Sequence, residues 1–226
     1  SLQGQLKLAI ESSAKYFVPH LFAAFKQRHP EVNLTLTVVN RAQAIRRLSD
    51  NRDDLIIMSM VPQDMGLEFL PFLNNPIVAV APPQHPLCKL DQLRMQDLEP
   101  HTLLVREQGS GTRKACEEYF KDKRVHFAQT LEVASADAQR ECVIAGLGIA
   151  LLTRHAVNLE LATGMLKELP VEELPLYRSW CVVQAKAKRQ SPVALAFLAF
   201  IRGERALISA LVERFSGKLP PTTAIP

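Results

Sequence analysis

The chain has 226 residues, 47% of them hydrophobic and 22% charged, enough to bury one large core or two modest ones. Its formal net charge of +4 is dispersed without a long Lys/Arg run, too weak by itself to argue for nucleic-acid binding. No apolar run approaches the ~20 residues of a membrane span, and Ser1-Leu2-Gln3-Gly4 opens no leader pattern, so the expectation is a cytoplasmic protein without a membrane partner. Cysteines stand at 88, 116, 142 and 181, with neither C-x-x-C spacing nor a histidine pair at metal-ligand spacing. No metal and no cofactor are therefore expected. Cys116 and Cys142 fall on predicted helices, where a buried apolar thiol competes with a redox role.

In chain order, Gln5–Ile10 alternates as a strand. Glu11-Ser12-Ser13 then supplies cap residues to a helix whose Phe17, Leu21, Phe22 and Phe25 recur at helical spacing and which His29-Pro30 closes. Val32–Val39 reads as a second strand, Ala42–Leu48 as a helix and Leu55–Met58 as a short buried strand. Strands follow at Leu67–Leu73 and Ile77–Ala81. Three prolines between Pro82 and Pro86 then break the chain. A second series starts with a helix near Leu93–Leu98, a strand at Thr102–Val105 and, after a glycine-punctuated loop, a helical pattern from Lys114 through about Asp122. A strand at Phe127–Val133 and a helix at Ala136–Ala145 come next. After Gly146 and Gly148 come a strand at Ile149–Leu152, a helix at Ala156–Leu161, and late strands at Met165–Leu169 and Ser179–Gln184. Ser191-Pro192 opens the last helix, kinked near Gly203, and 217–226 reads as a disordered tail. Strands alternating with helices predict an α/β fold with parallel sheets in two subdomains.

The stretch Arg106-Glu107-Gln108-Gly109-Ser110-Gly111-Thr112-Arg113 lies between a strand and a helix start. Free N–H groups and partial positive charge at a helix N-terminus favour an anion. Ser110 and Thr112 add hydroxyls, Gly109 and Gly111 let the backbone come close, and Arg106 and Arg113 add fixed charge. The spacing matches neither the P-loop nor the dinucleotide fingerprint. The same residues also fit an ordinary loop with a capped helix. Ser12-Ser13 holds an equivalent place after the first strand, so two facing subdomains would bring both sites to one cleft.

These segments, with Ser12-Ser13-Ala14-Lys15-Tyr16-Phe17-Val18-Pro19, Asn40-Arg41, Ala81-Pro82-Pro83-Gln84-His85-Pro86-Leu87, Ile144-Ala145-Gly146-Leu147-Gly148-Ile149-Ala150 and Leu159-Glu160-Leu161-Ala162-Thr163-Gly164, resemble the effector-binding domain of LysR-type transcriptional regulators. Within that family the pattern is similar to the branch that controls carbon-fixation operons. The resemblance implies two Rossmann-like subdomains joined by two crossover strands, like a type 2 periplasmic binding protein, with crossovers near Val80–Pro82 and Val183–Lys186. Subdomain I would comprise 4–82 and 185–216, and subdomain II 83–184. It implies a small phosphorylated or carboxylated effector held by Ser12 and Ser13 from one side and by Ser110, Gly111, Thr112 and Arg113 from the other. Arg106 stands beside that cradle. Lys15 and Arg41 divide between cleft rim and solvated surface, and Ser59 and Ser135 end strands nearby.

The branch pattern reads close to Gly-Ser-Asn-Glu-Thr-Ile-Lys-Gln where this chain has Ala134-Ser135-Ala136-Asp137-Ala138-Gln139-Arg140-Glu141. An amide at 136 and a hydroxyl at 138 are therefore lost. By resemblance, a homodimer or homotetramer, operator DNA and RNA polymerase are partners of a longer protein. Its winged helix-turn-helix would precede this chain, which starts at the first strand of the effector domain. No histidine stands in a nucleophile motif, so no enzyme is expected. A transporter's solute-binding protein and a cysteine redox sensor are the rival readings.

Overall fold

The structure, a computed structural model, describes residues 1–214; the expected tail at 217–226 lies outside them. Strand β1 (Gly4–Glu11) is flanked in parallel by β2 (Val32–Val39) and β3 (Leu55–Met58). Helices α1 (Val18–Arg28) and α2 (Arg41–Ser49) make the connections. Then follow β4 (Leu67–Ala81), α3 (Met95–Leu98), β5 (Thr102–Val105), α4 (Gly111–Lys123), β6 (Gln129–Glu132), α5 (Ala136–Ile144), β7 (Ile149–Thr153) and α6 (Asn158–Thr163). The described chain closes with β8 (Lys167–Glu168), β9 (Leu176–Ala185), α7 (Pro192–Gly203) and α8 (Arg205–Arg214), the last two broken at Glu204 beside the expected kink. The strands join in the order β2-β1-β3-β9-β4-β7-β5-β6, with β8 beside β4.

Period-two alternation sends successive side chains of each central strand to opposite helical layers. Leu6, Leu8, Ile10, Leu55 and Ile57 join Phe17, Phe25 and Phe197 in one core, while Ala9, Ile56 and Met58 meet Ala44 of α2 on the other face. In the second half, Leu103, Ile149 and Leu151 pack under α3 and α4, and Leu104, Ala150 and Leu152 pack under α5. Burial on both faces explains why Leu55–Met58 and Ile149–Leu152 read as unbroken apolar runs. Each large side chain so buried contributes roughly 1.5–3 kcal/mol.

One expectation changes. The separate strands at 67–73 and 77–81 are one strand, β4, with a register shift between Pro71 and Leu73. Pro71 and Pro76 are tolerated because they lie where β4 has β9 on one side and β7 has not yet joined on the other. The strand neighbours also change along the chain. Ile77 already pairs with Thr153, and Cys181, Val182 and Val183 still pair with β3. The exchange of neighbours therefore falls between Leu73 and Ile77 on β4 and between Leu176 and Cys181 on β9.

Candidate functional site

The carboxyl ends of β1, β3 and β5 meet where the two halves face each other, so the residues following those strands line a common cleft. After β1 the chain turns into a 3-10 segment, Ser12–Tyr16, and reaches α1 only at Val18. Ser12 and Ser13 therefore do not cap α1. Glu11 and Phe17 hold the two flanking positions, and neither makes a side-chain cap bond. A short 3-10 turn bonds i to i+3 and carries its own backbone partners, which removes the need for a serine cap. Ser13 is buried and Ser12 half-buried, the latter accepting a hydrogen bond from the Arg106 guanidinium at 3.3 Å.

The loop between β5 and α4 supplies the opposite wall. Ser110 caps α4, its hydroxyl accepting from the Arg113 amide at 3.2 Å. Gly109 has φ +95°, and the carbonyl of this residue accepts from the Ala42 amide across the cleft at 3.1 Å. A Cβ at Gly111 would come within 3.2 Å of Glu11 Cδ and closer still to its Oε2. Gly109 is favoured by its positive φ and by the close approach of the Ala42 and Asn40 side chains, and Gly111 by the Glu11 carboxyl packed against it. Asn40, which caps α2 in a reciprocal box with Gln43, also donates to Glu107 at 3.3 Å.

Charge in the cleft is paired. Arg106 is 5% exposed and held by Glu107 at 2.8 Å. Glu11, 6% exposed, accepts from the Ser59 amide at 2.9 Å. Burial pushes its carboxyl above the ordinary value of 4.5, against the pull of the Ser59 amide, the Arg41 charge, the Met60 amide and the Arg106 charge. Arg41 itself donates to the Met60 carbonyl at 2.7 Å. Lys15 pairs with Asp137 of α5, and the Tyr16 hydroxyl donates to the same carboxylate. Burial would raise the Asp137 pKa, but hydrogen bonds from Lys15 and Tyr16 and the charges of Lys15 and Arg140 bring it below 3.8.

Of the residues singled out in the sequence, Ser12, Ser13, Arg106, Ser110 and Gly111 come together around Glu11 and the start of α4. Arg41 and Ser59 reach Glu11 from the β3 side, Arg41 by its charge and Ser59 by its amide. The Ser59 hydroxyl instead accepts from Asn75 at 3.1 Å. Ser135 caps α5 by accepting from the Ala138 amide, and Lys15 is engaged by Asp137. The Arg113 guanidinium donates to Glu117 at 2.7 Å, Glu132 at 2.6 Å and the Arg106 carbonyl at 2.7 Å, and the residue lines a cavity beside α4 together with Arg106 and Thr112. At the two departures from the branch pattern, Ala136 is buried and Ala138 exposed.

Thr112 and Arg106 also stand at a cavity of about 260 Å³ beside α4, shared with Cys116, Phe120, Val125 and Gln139. Gln139 is 1% exposed; its amide donates to the Leu104 carbonyl at 3.0 Å while its Oε1 has no hydrogen-bond partner. Glu11, Asn40, Glu107 and Asp137 were missed in the sequence. Glu11 left a signal as the acid that ends the alternating strand Gln5–Ile10.

Burial raises the thiol pKa of Cys116 to about 12 and of Cys181 to about 11, and lifts that of Cys88 as well. Burial of these three thiols disfavours a redox role for them. Among the described residues no group of His, Cys, Asp and Glu is placed to hold a metal, and no helix is long and apolar enough to cross a membrane.

Comparison with known proteins agrees with this architecture. The chain is 38% identical over 199 residues to the HTH-type transcriptional activator CmpR of Synechocystis sp., covering 88% of this chain and 66% of that protein. It is 37% identical over 204 residues to a RuBisCO operon transcriptional regulator of Allochromatium vinosum, covering 90% of this chain and 68% of that one. The chain thus spans about two thirds of the length of these relatives. The solved regulatory domain of Synechocystis PCC6803 CcmR, in complex with 2-PG, superposes with a TM-score of 0.85 at 35% identity, over 89% of this chain and 97% of that one. That likeness carries the expected α/β architecture of two subdomains joined by crossing strands, as in type 2 periplasmic binding proteins. The family description "LysR substrate binding domain" matches residues 1–206, and the chain belongs to that family.

Proposed function

We propose that this domain senses a small anionic metabolite, phosphorylated or carboxylated, in the cleft between its halves. In a full-length cytoplasmic regulator, as a homodimer or homotetramer, it would use that binding to modulate attachment to operator DNA and transcription by RNA polymerase. The observation that carries this reading is the meeting of Ser12, the buried Arg106 guanidinium and the Gly109–Thr112 turn at the start of α4. Fixed hydrogen-bond donors and a helix N-terminus, sheltered from water, suit an anion and make a poor catalytic centre. The complex of the similar CcmR domain with 2-PG supports the same ligand class. On this reading subdomain I comprises about 4–74 and 179–214, and subdomain II the segment between. An effector acts only through different affinity for the closed and open arrangements of the two.

Titration calorimetry with phosphoglycolate, sugar phosphates and small carboxylates tests the proposal. At least one anion binds in the expected outcome, and Arg106→Ala weakens it at least tenfold. Failure of every anion to bind, or unaltered affinity in Arg106→Ala, would sink it.

A further inference from the structure

The cavity of about 260 Å³ beside α4 lies within one half of the molecule, its lining drawn from the chain between Leu103 and Leu151. Its walls are mostly apolar, with Leu103 and Leu151 from the sheet, Cys116 and Phe120 from α4, and Val125 and Phe127 from the segment after it. Glu117, His126 and Thr130 also line it and are exposed, as is every residue of the edge strand β6, so the cavity is reached from solvent between α4 and β6. At the buried side stands Gln139 of α5, 1% exposed. Its amide nitrogen donates to the Leu104 carbonyl at 3.0 Å, which fixes the orientation of the amide, because reversed it would set two oxygens face to face. Its Oε1 is then an acceptor with no partner among the described residues. A buried acceptor left unpaired is costly, so a molecule that brings a donor to it recovers that cost on binding.

The two cations at the cavity already have their counter-charges. Arg106 sends its guanidinium to Glu107 and to Ser12 on the cleft side, and Arg113 sends its own to Glu117 and Glu132. An anion in the cavity would compete with those carboxylates; a neutral molecule does not. Phe120 and Phe127, with ring centroids 5.2 Å apart, offer faces and edges to a third ring. An apolar cavity of roughly 150 Å³ takes benzene, so this one has room for a substituted ring. The geometry points to a second ligand site, separate from the cleft, that takes a neutral aromatic compound bearing one O–H or N–H donor, of the phenol or indole kind. The ring lies among the apolar walls and the donor reaches Gln139 Oε1.

The test is an NMR titration of the chain with phenol, indole and toluene, the last matching phenol in shape without its donor. Phenol and indole are expected to bind saturably, and phenol roughly fivefold more tightly than toluene. Gln139→Leu is expected to bring phenol down to the affinity of toluene. Cys116→Leu fills the cavity from α4 and is expected to abolish binding of all three probes while the melting temperature holds. It keeps the test decisive if Gln139→Leu fails to fold. No saturable binding of phenol or indole to wild type, equal affinities of wild type for phenol and toluene, or undiminished binding in Cys116→Leu overturns the site. Each of these results leaves the anion reading of the cleft untouched, because the cavity takes no residue from the opposite half.

Discussion

Gly111 lies flush against the carboxylate of Glu11, the first residue of a helix in one half touching the last residue of a strand in the other. A methyl group at 111 would drive the halves apart or push Glu11 off the Ser59 amide. Gly111→Ala is expected to leave the unfolding transition near wild type, because alanine is the better helix former by up to about 1 kcal/mol. It should nevertheless weaken anion binding at least tenfold. Adding Glu11→Ala should restore closure. A small-angle scattering profile of Gly111→Ala matching wild type would contradict this.

Lys15 and Asp137 join the same halves at the cleft's other edge, with the Tyr16 hydroxyl on the same carboxylate. Their side chains are 29% and 45% exposed, so solvent screens the pair and its loss should cost less than about 1 kcal/mol. The carboxyl is depressed below 3.8, so its contribution is complete above that value and is lost as pH falls through the lower folded value. Asp137→Asn should therefore open the cleft at neutral pH with little change in melting temperature. Scattering at pH 7 checks it; an unchanged radius of gyration counts against the pair as a latch.

His155 packs 5.2 Å from the Phe17 ring, and its Nε2 lies 3.3 Å from the Asn74 carbonyl. Burial lowers its pKa from 6.5 to about 4, outweighing the Asn74 hydrogen bond. The folded state thus holds it neutral. This contribution to stability is complete above the unfolded value of 6.5 and is lost as pH falls towards about 4. The integrated loss is about 3 kcal/mol at 1.36 kcal/mol per unit. Urea unfolding of wild type and His155→Gln at pH 7 and pH 4.5 should show a markedly shallower decline in the variant. Equal declines would place the acid sensitivity elsewhere.

Arg106 and Arg113 sit at the two ends of one loop and are expected to behave differently. Arg106 is buried, with its terminal nitrogen on Ser12 across the cleft. Arg113 is spent on Glu117, Glu132 and a backbone carbonyl. Anion affinity should fall at least tenfold in Arg106→Ala and less than threefold in Arg113→Ala, which should instead lower stability by about 1 kcal/mol. Equal losses of affinity would show that Arg113 reaches the ligand.

The parallel strands were legible because burial on two faces leaves continuous apolar runs such as Leu55–Met58 and Ile149–Leu152. The cap of α4 at Ser110 was legible too, since capping is a local preference of short polar side chains. Strand β4 was not, because Pro71 and Pro76 punctuate it and only its position beside β9 makes them harmless. In the site, the loop residues announced themselves by composition. Glu11 and Asp137 did not, because their significance comes from partners some 100 residues away across a cleft. Arg113 shows the converse: charge at a helix start is visible in sequence, but which way it points is decided by Glu117 and Glu132.

Strands β4 and β9 run antiparallel through both halves, paired from Leu67–Ala185 to Ile77–Leu176. Such a ribbon cannot slide without breaking its ladder, so relative movement of the halves is a torsion about it. Helix α8 leans on this ribbon, with Ile208 and Val212 in the same core as Phe72 of β4. A torsion about this ribbon would therefore bear on α8, whose Ile208 and Val212 share that core.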